Sequence, residues 1–201
     1  MIALIDYGAG NLTSVKKALD ALGADFTVPA TPDGCAGAAG LIVPGVGHFA
    51  ATTALTGPWR AAIAAAVHAG TPLLGICVGM QWLYEGSEEA PDVPGLGVLA
   101  GRCGLLRGDA AQRLKIPHVG WNALDIACGA GTLLAGVEPG AHVYFTHSYA
   151  APVTADCIAS TTHAERFAAA VERDNVCGVQ FHPEKSGEAG LRILRNYLEL
   201  C

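Results

Sequence analysis

Residues 73–81 read Leu-Leu-Gly-Ile-Cys-Val-Gly-Met-Gln, and no other stretch constrains the fold as strongly. A buried strand over residues 73–76 feeds a G-x-C-x-G turn, and a helix over residues 79–85 follows. This is the layout of a nucleophile elbow, with Cys77 where the hydrolase version of the motif carries serine. A sharp strand-to-helix turn crowds the backbone, so the positions two before and two after the nucleophile need minimal side chains. Gly75 and Gly79 meet that need. Such a turn sets the Cys77 sulfur over the carboxyl end of a sheet and at a helix N-terminus, where free N–H groups favour thiolate. The N–H of Val78 would face an oxyanion there. A buried cysteine in an ordinary Gly-rich turn shares the local pattern, so the elbow calls for a base.

The flanking sequence predicts an α/β fold with a mostly parallel central sheet, flanking helices and an antiparallel extension. Strand patterns at residues 2–6, 41–43 and 73–76 alternate with helical ones at 12–22, 59–69 and 79–85. Alternation of this kind favours parallel strands covered on both faces. Short β-like runs then crowd residues 98–106, 119–126, 143–147, 157–161, 167–172 and 176–181, which reads as hairpins. A helix over residues 187–200 closes the pattern, and residues 86–97 read as a surface loop. No repeat or linker interrupts the chain, so residues 1–201 are expected to form a single domain.

Composition narrows the function. Hydrophobic residues make up 51% of the chain and charged residues 15%, which excludes disorder. The net charge is −6 with no basic block, so neither nucleic acid nor an anionic membrane is an expected partner. The start, MIALIDYGAGN, lacks a cationic leader, and no apolar run approaches the roughly 20 residues of a spanning helix. A cytoplasmic protein is expected. The seven cysteines (35, 77, 103, 128, 157, 177 and 201) are odd in number and irregularly spaced, pointing to neither disulfides nor zinc. No metal and no cofactor is expected.

The base is supplied by Val-Gln-Phe-His-Pro-Glu-Lys-Ser at residues 179–186. His182 ends an apolar run, and Pro183 disfavours a helical conformation for it. An extended segment would put His182 and Glu184 on similar sides, with the carboxylate fixing the imidazole tautomer. A histidine within reach of the sulfur takes its proton and returns it to a leaving amine. Of the other histidines, His118 and His147 occupy suggestive settings, although structural roles suit them better. The Pro44-Gly45-Val46-Gly47 turn follows a strand of the same sheet. Its Val46 or Gly47 N–H is the candidate partner of the Val78 N–H in an oxyanion hole.

Taken together, G-I-C-V-G-M-Q, P-G-V-G and F-H-P-E resemble the class I (triad) glutamine amidotransferases. Three further blocks narrow the resemblance: D-Y-G-A-G-N from Asp6, P-H-V-G-W-N from Pro117 and Y-F-T-H-S-Y from Tyr144. With H-P-E-K-S from His182 they look like the glutaminase subunits of imidazole glycerol phosphate synthases, over essentially the whole chain. The resemblance implies a triad of Cys77, His182 and Glu184, with Gly47, Gln81, Ser148 and Tyr149 around glutamine. It implies that Asn11, Trp121, Tyr144 and Lys185 face a (β/α)8-barrel cyclase subunit in a heterodimer that receives the ammonia for histidine biosynthesis. Val78 stands where leucine is more usual, Thr146 where valine is, and Ala150-Ala151-Pro152 is less typical of the family. Rival readings are the glutaminase subunit of another synthase (anthranilate, aminodeoxychorismate, pyridoxal phosphate or purine), a stand-alone γ-glutamyl hydrolase, or a catalytically silent binding subunit.

Overall fold

A computed structural model describes residues 1–9, 12–108, 114–127 and 131–201. In chain order the first elements are β1 (Ile2–Leu4), α1 (Leu12–Ala21), β2 (Phe26–Thr27), β3 (Gly40–Gly45), α2 (Pro58–His68), β4 (Leu73–Cys77) and α3 (Val78–Leu83). There follow β5 (Gly86–Ser87), β6 (Arg102–Leu105), β7 (His118–Ala123), β8 (Asp125–Ile126), β9 (His142–His147) and β10 (Tyr149–Ala150). The chain ends with β11 (Cys157–His163), β12 (Glu165–Arg173), β13 (Val176–Val179) and α4 (Gly187–Glu199).

The main sheet has eight strands in the order β2-β1-β3-β4-β13-β12-β11-β8. Pairing is parallel from β2 through β13 and antiparallel from β13 outward to β8. The parallel strands β1, β3, β4 and β13 are buried along their whole length. That explains why they read as unbroken apolar runs: both faces are covered. Helix α1 buries Val15, Ala18 and Leu19 and stops where Gly23 turns to φ +68°. There the N–H groups of Gly23 and Ala24 return to the carbonyls of Asp20 and Leu19, closing the helix end. Helix α4 is fastened by Tyr197, whose hydroxyl donates to the carbonyl of Leu41 in β3 at 2.7 Å.

The structure corrects the sequence reading in three places. The 119–126 run divides: β7 pairs with β9 as a separate antiparallel ribbon, with Trp121 opposite Tyr144, while Asp125 and Ile126 form β8 at the edge of the main sheet beside β11. Local alternation shows that a segment is a strand but not which partner it finds. Residues 86–97 are not simply a surface loop, because Gly86 and Ser87 are buried in β5, beside β6, and Leu96 is buried too. Arg60 from α2 holds that stretch by donating to the carbonyls of Gly95 and Leu96. The 98–106 strand shrinks to β6.

Candidate active site

Cys77 is the last residue of β4 and the residue from which α3 departs, with φ +54° and ψ −109°. A residue with a Cβ is strained in that region, at about 1–3 kcal/mol, and persists there only when its surroundings hold it. Three glycines do so. A Cβ on Gly75 would sit 2.6 Å from the Gly79 carbonyl oxygen, one on Gly79 1.8 Å from the Val43 carbonyl oxygen, and one on Gly45 2.2 Å from the Tyr7 hydroxyl. The close approach of α3 to β3 thus depends on Gly79 lacking a side chain. Cys77 is only 2% exposed, yet it contributes to a cleft wall. Helix α3 has only six residues, so its free N–H groups matter more than its dipole.

His182 reaches the same edge from β13, the neighbour of β4 in the sheet. Its backbone N–H donates to the Tyr144 carbonyl at 2.9 Å, and its carbonyl accepts from the Ser186 hydroxyl at 2.6 Å. The same hydroxyl accepts from the Tyr144 N–H at 3.0 Å, so Ser186 locks the histidine to the β9 strand. The expected extended path from His182 to Glu184 is not what forms. Residues Pro183–Lys185 make a single 3-10 turn, which Pro183 can start because its missing N–H would have no helical partner. The turn folds the carboxylate back onto the ring, and His182 Nδ1 meets Glu184 Oε1 at 2.9 Å with both side chains only 2% exposed.

With Nδ1 occupied, the free nitrogen is Nε2, buried and without a partner in good hydrogen-bond geometry among the described residues. Burial alone would push the imidazole pKa down, but Cys77 and Glu184 outweigh it and hold it up at about 9. The pair is therefore set to stay protonated beside the sulfur. The second carboxylate oxygen, Glu184 Oε2, is also buried and unpaired among the described residues. Glu184 also borders a cavity of about 290 Å³ lined by Lys17, Pro183 and Leu191.

The cleft over the sulfur is lined by Gly47, Cys77, Val78, Gln81, Glu89 and residues 146–149. All four residues assigned to glutamine by resemblance, Gly47, Gln81, Ser148 and Tyr149, lie on it. Of the two candidate oxyanion donors in the P-G-V-G turn, Gly47 borders the cleft and Val46 does not. Gly47 takes φ +95°, a conformation that suits glycine. The cleft holds only about 30 Å³, whereas a cavity of about 500 Å³ between residues 136–141 and α4 is lined by none of the candidate site residues. Chemistry, not volume, identifies the site here.

Sequence reasoning missed two residues near the sulfur, one in the cleft wall and one buried behind it. Glu89 faces the cleft and its Oε2 accepts the Phe49 N–H at 2.7 Å, tying the glycine turn to the 86–97 segment. Gln180 is fully buried, and its Nε2 lies 3.6 Å from Cys77 Sγ. No local signal marks Glu89, while Gln180 stood inside a segment singled out only for its histidine and glutamate.

His147 and His118 form a buried pair, Nε2 to Nδ1 at 3.0 Å, and His147 Nδ1 donates to the Tyr149 carbonyl at 2.9 Å. A carbonyl only accepts, so the proton on His147 sits at Nδ1 and His118 must donate to it. Burial lowers both pKa values, to about 3 for His118 and about 4 for His147, with neighbouring histidines adding to the effect. Both rings are neutral struts between β7 and the cleft wall.

On the other side of the β7–β9 ribbon, Trp121 is 56% exposed and Val119 is exposed beside it. Trp121 packs edge-on against Tyr144, with ring centroids 6.1 Å apart, and Lys185 Nζ lies 5.8 Å from the centre of the Tyr144 ring. Three of the four residues assigned to the partner face are thus one contiguous cluster. Asn11 lies outside the described residues.

A model of the class-I glutamine amidotransferase family matches residues 3–200. Similar solved structures include a glutamine amidotransferase, with TM-score 0.76, 20% identity and coverage of 99% of this chain and 97% of that one. PurLQS from Thermotoga maritima aligns with TM-score 0.74 at 20% identity, covering 98% of this chain and 97% of that one. Those likenesses establish the fold. Among curated relatives, the imidazole glycerol phosphate synthase subunit HisH of Natronomonas pharaonis is 44% identical, over all of this chain and 94% of its own length. The HisH subunits of Thermococcus kodakarensis (43%, all of both chains) and Gloeobacter violaceus (47%, 98% of this chain and 88% of the relative) are similar as well. The chain belongs to the class-I glutamine amidotransferases and, within them, to the HisH subunits of imidazole glycerol phosphate synthase. Among the described residues no helix is long and apolar enough to cross a membrane.

Proposed function

We propose that this chain, as one amidotransferase domain over residues 1–201, hydrolyses glutamine in the cytoplasm and passes the ammonia to a (β/α)8-barrel cyclase for histidine biosynthesis. The observation that carries the reading is Cys77 held at positive φ on the edge where the buried His182–Glu184 pair also emerges.

The Cys77 sulfur attacks the side-chain amide carbon of glutamine. The oxyanion is received by N–H groups of Val78 and the glycine turn, with Gly47 the nearer member of that turn. His182, oriented and charged by Glu184, gives its proton to the departing ammonia. It then takes one from the water that hydrolyses the γ-glutamyl thioester. Gln81, Ser148 and Tyr149 hold the substrate, and the Glu89 carboxylate supplies a countercharge for its α-ammonium group. Asn11, Trp121, Tyr144 and Lys185 meet the cyclase.

The cleft over the sulfur is narrow, about 30 Å³, and is lined by the residues proposed to contact glutamine. The subunit turns over slowly until its liganded partner resets the 44–47 turn, where Gly47 at φ +95° is the residue whose peptide can rotate to complete the oxyanion hole. The test is glutamate release from the chain alone, with a cyclase subunit, and with the cyclase and its ligand. Release should rise at each step. Cys77→Ala should abolish it while ammonia-dependent synthesis by the complex persists. Turnover in Cys77→Ala, or equal turnover with and without partner, would refute the reading.

A further inference from the structure

The sulfur of Cys77 has a polar neighbour that the triad does not include. Gln180 Nε2 lies 3.6 Å from Cys77 Sγ, and the Gln180 side chain is wholly buried two residues before His182. Its orientation follows from a chain of hydrogen bonds. Gln81 Nε2 donates to the Tyr149 carbonyl at 2.8 Å and to Gln180 Oε1 at 3.0 Å. Because a backbone carbonyl accepts only, Gln81 must turn its amino group toward Tyr149, and the second hydrogen of that group claims the oxygen of Gln180. Gln180 is then obliged to present its own amino group to the sulfur. The backbone beneath it is set by a bond from its N–H to the Ala169 carbonyl at 2.9 Å, on the adjacent β12 strand.

A thiol sulfur is a weak acceptor, whereas an anionic sulfur accepts charge-assisted bonds of about twice the strength of neutral ones. We propose that Gln180, aimed by Gln81, is an N–H donor to the Cys77 sulfur that favours its anionic form in both halves of the reaction. In the first half the anion is the attacking nucleophile. In the second, water adds to the γ-glutamyl carbonyl carbon and its proton goes to His182. The carbon–sulfur bond then breaks with its electron pair on sulfur, where the Gln180 N–H receives it. The donor acts from the side of β13 and is separate from the oxyanion hole, which faces the substrate oxygen.

This deepens the glutaminase reading and rests on it. The test measures alkylation of Cys77 by iodoacetamide, followed by mass spectrometry of the peptide carrying residue 77, together with glutamine kinetics of the complex. Gln180→Met keeps the length of the side chain and removes the donor. Its alkylation rate at pH 7 and its kcat should each fall about tenfold, as the loss of one charge-assisted bond requires, with KM within about twofold. The alkylation deficit should shrink toward about pH 10, where a thiol ionises unaided. Gln81→Met, which leaves Gln180 present but unaimed, should show a smaller loss with the same pH trend. Alkylation within twofold of the native chain, or a deficit that does not change with pH, overturns the proposal. If Gln180→Met fails to fold, Gln81→Met decides by the same criteria. Glutamine turnover that survives Cys77→Ala would instead bring down the glutaminase reading itself.

Discussion

His182 Nδ1 and Glu184 Oε1 stand 2.9 Å apart inside one buried turn, and Cys77 together with that contact outweighs burial to hold the charge on the group facing the sulfur. With an imidazole pKa near 9, the proton needed by the departing ammonia is held through neutral pH. Glutaminase kcat should therefore fall as pH rises through about 9. Glu184→Gln removes one of the two groups that raise this pKa, so the falling limb should move to lower pH and kcat should drop about 100-fold. A pH–kcat profile of the two proteins in complex with the cyclase checks both. The linkage has a definite sign: the folded pKa is raised above about 6.5, so the stabilisation is complete below that pH and gone above about 9.

The neutral histidine pair acts in the opposite direction. His118 and His147 have folded pKa values lowered from 6.5 to about 3 and about 4, so unfolding takes up protons below the unfolded value. Their contribution is present above pH 6.5 and is lost as pH falls toward about 4. Imidazole resonances of both residues should not titrate above pH 5, and urea midpoints should decline through this acid window.

Strain at the elbow makes an asymmetric pair of mutants. Gly79→Ala drives a Cβ to within 1.8 Å of the Val43 carbonyl oxygen, between two backbone segments that cannot yield independently. Destabilisation of about 3 kcal/mol is expected, read as a lowered Tm. Cys77→Gly relieves positive φ and should raise stability by about 1 kcal/mol while abolishing glutaminase activity. Calorimetry of the two variants separates the architectural role from the chemical one.

Glu89→Gln keeps the acceptor for the Phe49 N–H but removes the negative charge from the cleft. KM for glutamine should rise about tenfold with kcat little changed, the signature of lost uniform binding. Steady-state kinetics at saturating partner measure it.

Trp121→Ala touches a side chain that is more than half exposed and supported by Tyr144. The Tm of the isolated chain should stay within the equivalent of about 0.5 kcal/mol. Affinity for the cyclase should fall by about 2 kcal/mol, as for an aromatic anchor at the centre of an interface. Isothermal titration of the variant into the cyclase distinguishes these outcomes.

The parallel core was legible because β1, β3 and β4 are buried on both faces and their composition shows it. The separate β7–β9 ribbon was not, because alternating residues look alike whichever strand they pair with. The loop over residues 86–97 was misjudged for a related reason. Glycine and proline mark a turn, but the Arg60 bonds that pull it inward come from α2, a distant part of the chain.

What the sequence by itself determined was the steric and chemical logic of single segments: glycines two positions either side of Cys77, and a histidine two before a glutamate across a proline. Those rules act within a few residues, so they can be read in order along the chain. Tertiary structure alone decided the tight turn that brings Glu184 back to His182, the size of the cleft and the place of Glu89 in its wall. It also joined Gln81 to Gln180 across 99 positions of sequence. A hydrogen bond needs its two atoms within about 3 Å, and only the packing of β4 against β13 brings such distant residues that close.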